Sequence, residues 1–122
     1  MEYSLNVKVK ITQQDIDDIM VSALEGGICY WCRKAEVIED EYLGEYASDQ
    51  ISRGGSLRLY DAEEDEVYVL TLEKFLNGVQ LAFDEGYANR WINGCSIDTC
   101  GIDGEAADVI VQLALFGEVV FG

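Results

Sequence analysis

The apolar residues of this chain switch their repeat from alternate positions to helical spacing within a few residues, and they do so more than once. Tyr3, Leu5, Val7, Val9 and Ile11 alternate with Ser4, Asn6, Lys8 and Lys10. That period predicts a half-buried strand with one wet face. Its two lysines place it near a sheet margin, where charge discourages further pairing. Thr12 then reads as a helix N-cap with Asp15 as its capping-box partner. Asp15, Asp17 and Asp18 suit the positive end of a helix dipole. Ile16, Ile19, Met20, Ala23 and Leu24 form one stripe at helical spacing, and Gly26-Gly27 ends it.

The switching continues along the chain. Ile28 to Ile38 is ambiguous, but its aromatic and β-branched content leans toward a strand. Tyr42 to Ile51 reads as a short helix, with Arg53-Gly54-Gly55 as a turn. Leu57 to Asp61 and Val67 to Leu72 are joined by Ala62-Glu63-Glu64-Asp65-Glu66, a hairpin with a charged loop. Thr71 caps the next helix, whose buried face is Leu72, Phe75, Leu76, Val79, Ala82 and Phe83. Gly78 within it costs about 1 kcal/mol relative to alanine and permits close packing, and Gly86 stops the helix. Tyr87 to Gly101 shows no clear period. Asp103 caps a last helix, Glu105 to Phe116, ended by Gly117, and Val119 to Phe121 reads as a short strand. This order lacks regular βαβ alternation, so the expected fold is α+β: one domain over residues 1–122, an antiparallel sheet with helices packed on one face.

The 122 residues, 49% of them hydrophobic, suffice for one ordinary core. No apolar run approaches the roughly 20 residues that span a bilayer. The longest, Ala106 to Phe116, is interrupted by Asp108 and Gln112. The opening residues lack the basic start and apolar stretch of a signal peptide, so a cytoplasmic location is expected. The charge is extreme, with 24 acids against 8 bases, no histidine and a net charge of -16. Such a surface argues against direct nucleic-acid binding, which needs clustered Lys and Arg, and against anionic membranes. It favours cationic partners, metal ions or simple solubility.

The four cysteines pair as Cys29-x-x-Cys32 and Cys95-x-x-x-x-Cys100. Together they could supply a four-thiolate zinc site. Bulky Tyr30 and Trp31 inside the first pair, and the long second spacing, weaken that reading. The alternative is cysteine as a small buried hydrophobe, and no cofactor is expected. Without histidine, the commonest general base near neutral pH is missing and no Ser–His or Cys–His pair exists. No Gly-rich phosphate loop or GxSxG is present, so no catalytic residue is assigned and the chain is expected not to be an enzyme.

Two acidic groups stand out. Glu36, Glu39, Asp40, Glu41, Glu45 and Asp49 form one, near Tyr46; Asp61, Glu63, Glu64, Asp65 and Glu66 form the other. Neither has the alternating ligands, central Gly and terminal Glu of a calcium loop. The plain reading is a solvated face that keeps a small protein soluble. The sharper one is mimicry of nucleic acid, whose duplex form carries one charge per roughly 1.7 Å of axis. Carboxylates on a rigid fold can then occupy a basic groove built for phosphates. The residues assigned to partner binding are Glu39, Asp40, Glu41, Glu45, Tyr46, Asp49, Glu63, Glu64, Asp65 and Glu66. Trp31 is expected in the core and Tyr46 at an interface. A small basic pocket of Arg33, Lys34, Arg53 and Arg58 is a further, lesser possibility.

The run Ile11-Thr12-Gln13-Gln14-Asp15-Ile16-Asp17-Asp18-Ile19-Met20, continuing through Ala23-Leu24-Glu25-Gly26-Gly27-Ile28 to Tyr30-Trp31-Cys32, resembles a family of small acidic proteins. So do Leu43 to Ser48, Gln50 to Gly55, Leu70 to Gly78 and the tail Ala114 to Gly122. The family is carried by phages and mobile elements of gut Firmicutes. The resemblance spans most of the chain and implies an origin, with no site residues attached. Small acidic phage proteins often act on a host machine, so it implies a basic, nucleic-acid-handling host protein as partner, such as a CRISPR nuclease of host defence.

Overall fold

The computed structural model describes residues 1–38, 43–87 and 91–122. Helix α1, Gln13–Ser22, begins at a complete capping box: the Asp15 amide donates to Thr12 Oγ1 and the Thr12 amide donates to Asp15 Oδ2. The helix widens into a π turn, Ala23–Gly27, as it reaches Gly26-Gly27. Gly27 is required there, because a side chain would strike the Gly104 carbonyl across the groove between segments. Helices α2, Leu72–Asp84, and α3, Gly104–Phe116, start at Thr71 and Asp103, whose side chains accept from the Lys74 and Ala106 amides. The three predicted N-caps therefore all close helix ends, each satisfying an orphan amide.

Strands β1, Cys32–Val37, β2, Leu57–Asp61, and β3, Val67–Leu70, form one antiparallel sheet in the order β1-β2-β3. Arg58 stands opposite both Glu36 and Val69, and Tyr60 opposite Lys34 and Val67, with a register shift between Cys32 and Lys34. Leu57, Leu59 and Leu70 point inward and are fully buried. Arg58 and Tyr60 point to the other face, where Val67 and Val69 are exposed. The helices cover one face only, which makes the fold α+β. The inward leucines join Ile19, Met20, Phe75, Ile110 and Leu113 in a single core. Helices α2 and α3 cross closely at Gly78, where a methyl group would lie 2.7 Å from the Ala114 nitrogen and the Ile110 oxygen. Strands β4, Ile92–Asn93, and β5, Ser96–Ile97, form a two-stranded hairpin within the stretch that showed no period.

Four expectations require correction. Residues 1–9 form no strand; the alternating segment makes only an isolated bridge at Lys10, whose amide donates to the Cys95 carbonyl at 2.7 Å. Alternation describes a face, but a strand also needs a ladder along a neighbouring edge, and among the described residues this segment pairs at Lys10 with Ser96 alone. The helix expected at Tyr42 to Ile51 is instead two 3-10 turns, Ala47–Asp49 and Ile51–Arg53, with Tyr42 outside the described residues. Buried Gln50 competes for the backbone here: its amide donates to the Leu43 and Tyr46 carbonyls and its carbonyl accepts from the Leu43 amide. Val119 to Phe121 is not a strand, because the Val120 and Phe121 amides both donate to the Gln112 side chain, each at 2.7 Å. The expected strand at Ile28 to Ile38 starts later, at Cys32, after a turn.

Candidate partner-binding surface

The β2–β3 hairpin tip is built around the Asp61 carboxylate. Oδ1 accepts from the Glu63 and Glu64 amides, both at 2.9 Å, and Oδ2 accepts from the Tyr68 hydroxyl at 2.8 Å. An Asp at the head of a loop makes this Asx-type turn because its short side chain reaches the amides two and three residues on. The Asp61 amide donates to the Glu66 carbonyl, and the Ala62 amide to the Trp31 carbonyl at 2.7 Å. The Glu64 and Glu63 amides, with the Tyr68 hydroxyl, hold the Asp61 carboxyl below its ordinary range. The same hydrogen bond, followed by burial, pushes Tyr68 up to about 12. Asp61 is thus buried and structural. Glu63, Glu64, Asp65 and Glu66 are all exposed, and none pairs with a cation among the described residues.

The first acidic group divides. Glu39, Asp40 and Glu41 lie outside the described residues. Glu45 and Tyr46 are exposed. Asp49 turns inward: its Oδ2 accepts from the Glu45 amide at 3.0 Å and the Tyr46 amide at 3.1 Å, and Arg53 sits 3.8 Å from Oδ1. The Tyr46 N–H above all, then the Glu45 N–H and Arg53, keep its carboxyl below the usual range. Asp49 therefore organises the loop that presents Tyr46. Glu36 is also engaged, with Lys34 at 3.1 Å and Arg58 at 3.0 Å, and these partners lower its pKa.

The basic residues are only partly gathered. Arg33 and Lys34 lie over the Tyr60 ring at 5.1 and 5.5 Å, and Arg58 joins them through Glu36. Arg53 stands apart, on Asp17 and Asp49. The cysteines do not converge. Cys32 is buried while Cys29, Cys95 and Cys100 are exposed, and no three His, Cys, Asp or Glu side chains among the described residues are placed to hold a metal. Burial raises the Cys32 thiol pKa.

A second polar assembly lies at α3. Asp108, buried, accepts from Tyr30 Oη at 2.5 Å, Trp31 Nε1 at 2.7 Å and Gln112 Nε2 at 2.9 Å. Partial desolvation first, then the hydrogen bond to Asp108 and its charge, push Tyr30 up to about 12. Trp31 stacks on Phe121 with ring centroids 4.9 Å apart, and Phe116 and Tyr68 pack edge-on beside them. A groove of about 660 Å³ opens beside Tyr30, lined by Glu25, Glu105 and Asp108 and, among the described residues, by no lysine or arginine. In the sequence, Asp108 and Gln112 registered only as interruptions of an apolar run. Their spacing of four places both on one helix face, and that was the available signal. Asp61 and Gln50 carried none beyond residue type.

No protein-family model, curated protein or solved structure matches the chain. No described helix is long and apolar enough to cross a membrane.

Proposed function

We propose that this protein is a non-enzymatic acidic binding protein that docks on a basic surface of a nucleic-acid-handling protein and competes there with phosphates. The observation that supports it most is the hairpin tip: four consecutive exposed acids, Glu63 to Glu66, with no cation paired to them among the described residues, on a turn fixed by Asp61. Fixing the loop before binding lowers the ordering cost that a flexible acidic run would meet. The net charge of -16 steers a cationic partner toward it. Exposed Glu45 and Tyr46 supply a second contact with an aromatic anchor. The resemblance to acidic phage-borne proteins favours a host defence nuclease as the target.

The test is capture of partners from host lysate at low salt, with elution by salt or by duplex DNA. A basic nucleic-acid-binding protein released by both is the expected result. Neutralising the tip (Glu63→Gln, Glu64→Gln, Asp65→Asn, Glu66→Gln) should weaken capture at least tenfold, about 1.4 kcal/mol. Capture indifferent to salt, to DNA and to these substitutions would refute the reading.

A further inference from the structure

Residues 3–9 present a contradiction between pattern and placement. Their alternation is that of a strand with one buried face, yet Tyr3, Leu5 and Val7 are 84%, 88% and 70% exposed. Single exposed apolar residues are ordinary, but an alternating row of them is the signature of a strand awaiting an edge. Beside the segment runs an apolar groove of about 870 Å³, walled by Leu5 and Val7 on one side and by Leu76, Phe83 and Ile97 on the other, with Asp84 among its lining residues.

We infer that this groove is the seat of the same segment from a second copy of the chain, the two segments pairing antiparallel about a twofold axis. Three observations favour a second copy over another occupant. A segment whose main chain lacks ladder partners is completed by pairing with another such segment, and an isologous contact needs only one segment to serve both sides. The sequence is also self-complementary in one register, centred on Asn6. There Leu5 of each copy stands opposite Val7 of the other, and Tyr3 opposite Val9, so the apolar residues share one face. Ser4 stands opposite Lys8 on the other face, which keeps like charges apart. Finally, residues 3–14 contain Lys8 and Lys10 and no acid, while all 24 acids lie elsewhere. Two bodies of charge -16 approach with less repulsion along this acid-free, lysine-bearing strip than across their acidic faces, and Asp84 offers a lysine of the incoming strand an anion.

This inference stands apart from the proposed docking of a basic protein, and the two respond oppositely to salt. Screening weakens attraction to a cationic partner but relieves repulsion between two acidic copies. The Debye length falls from about 30 Å at 0.01 M to about 8 Å at 0.15 M ionic strength.

Sedimentation velocity from about 1 μM to about 1 mM protein tests it, alongside amide hydrogen exchange at both ends of that range. The expected result is twice the monomer mass at high concentration, favoured by salt, with exchange in residues 4–9 slowed about tenfold or more only there. The double variant Leu5→Lys, Val7→Lys should stay monomeric with an unchanged circular dichroism spectrum, since both side chains are exposed. Asn6→Pro, which removes a main-chain donor at the centre of the pairing, should do the same. A monomer throughout the range, or a dimer that survives both variants, would overturn the inference.

Discussion

Replacing Asp108 with alanine leaves the Trp31 indole N–H, the Tyr30 hydroxyl and the Gln112 amide without their common acceptor. The buried indole donates to no other group among the described residues, and an orphaned donor of this kind costs about 2 kcal/mol. Chemical denaturation should register that loss, with Asp108→Asn losing less because it keeps an acceptor oxygen. The same substitutions should bring the Tyr30 titration down from about 12 toward the ordinary 10.0, readable by ultraviolet absorbance. Tyr30 and Tyr68 both have folded pKa values above their unfolded ones. The folded state therefore holds their protons more tightly, and the stability this contributes is fully present below pH 10. It should fade as pH rises from about 10 to about 12. A melting temperature flat across that window would contradict both assignments.

Gly78 shows how the contact between α2 and α3 depends on one missing side chain. Alanine there has the better helix propensity, by about 1 kcal/mol, yet its methyl group would sit 2.7 Å from two backbone atoms of α3. Backbone cannot rotate aside as a side chain can, so overpacking should dominate and Gly78→Ala should destabilise by about 1–3 kcal/mol. A gain in stability on thermal denaturation would mean that α3 can shift. What depends on short-range chemistry is legible in the sequence: Thr12, Thr71 and Asp103 as caps, and the β2–β3 hairpin with its charged tip. Segments whose backbone is satisfied by a distant or unexpected group are not. Gln112 holds Val120 and Phe121 from eight and nine residues away, and Gln50 unwinds the expected helix into 3-10 turns. Residues 3–9 alternate as a strand should, but no local pattern tells whether an edge awaits them. The acidic tip was visible as composition; that Asp61 is its scaffold, and Asp49 the scaffold of the Tyr46 loop, required the hydrogen bonds.

The surplus of 16 negative charges over a body this small works against compactness even without a partner. Salt should therefore stabilise the fold. Between 0.01 M and 0.15 M ionic strength the expected gain is about 1 kcal/mol, or about 4 °C in Tm, and calorimetry in sodium chloride at neutral pH would show it. An unchanged Tm would mean that the carboxylates are spaced widely enough to ignore one another, and the crowded acidic tip would lose its electrostatic meaning. Finally, Trp31 lies flat against Phe121 while Gln112 grips the backbone on either side of that ring. With Trp91 replaced by phenylalanine, the emission of the Trp31 indole is consequently an optical gauge of whether residues 120 and 121 are seated. Lifting them would wet one face of the ring and redden its fluorescence while the rest of the fold stays intact.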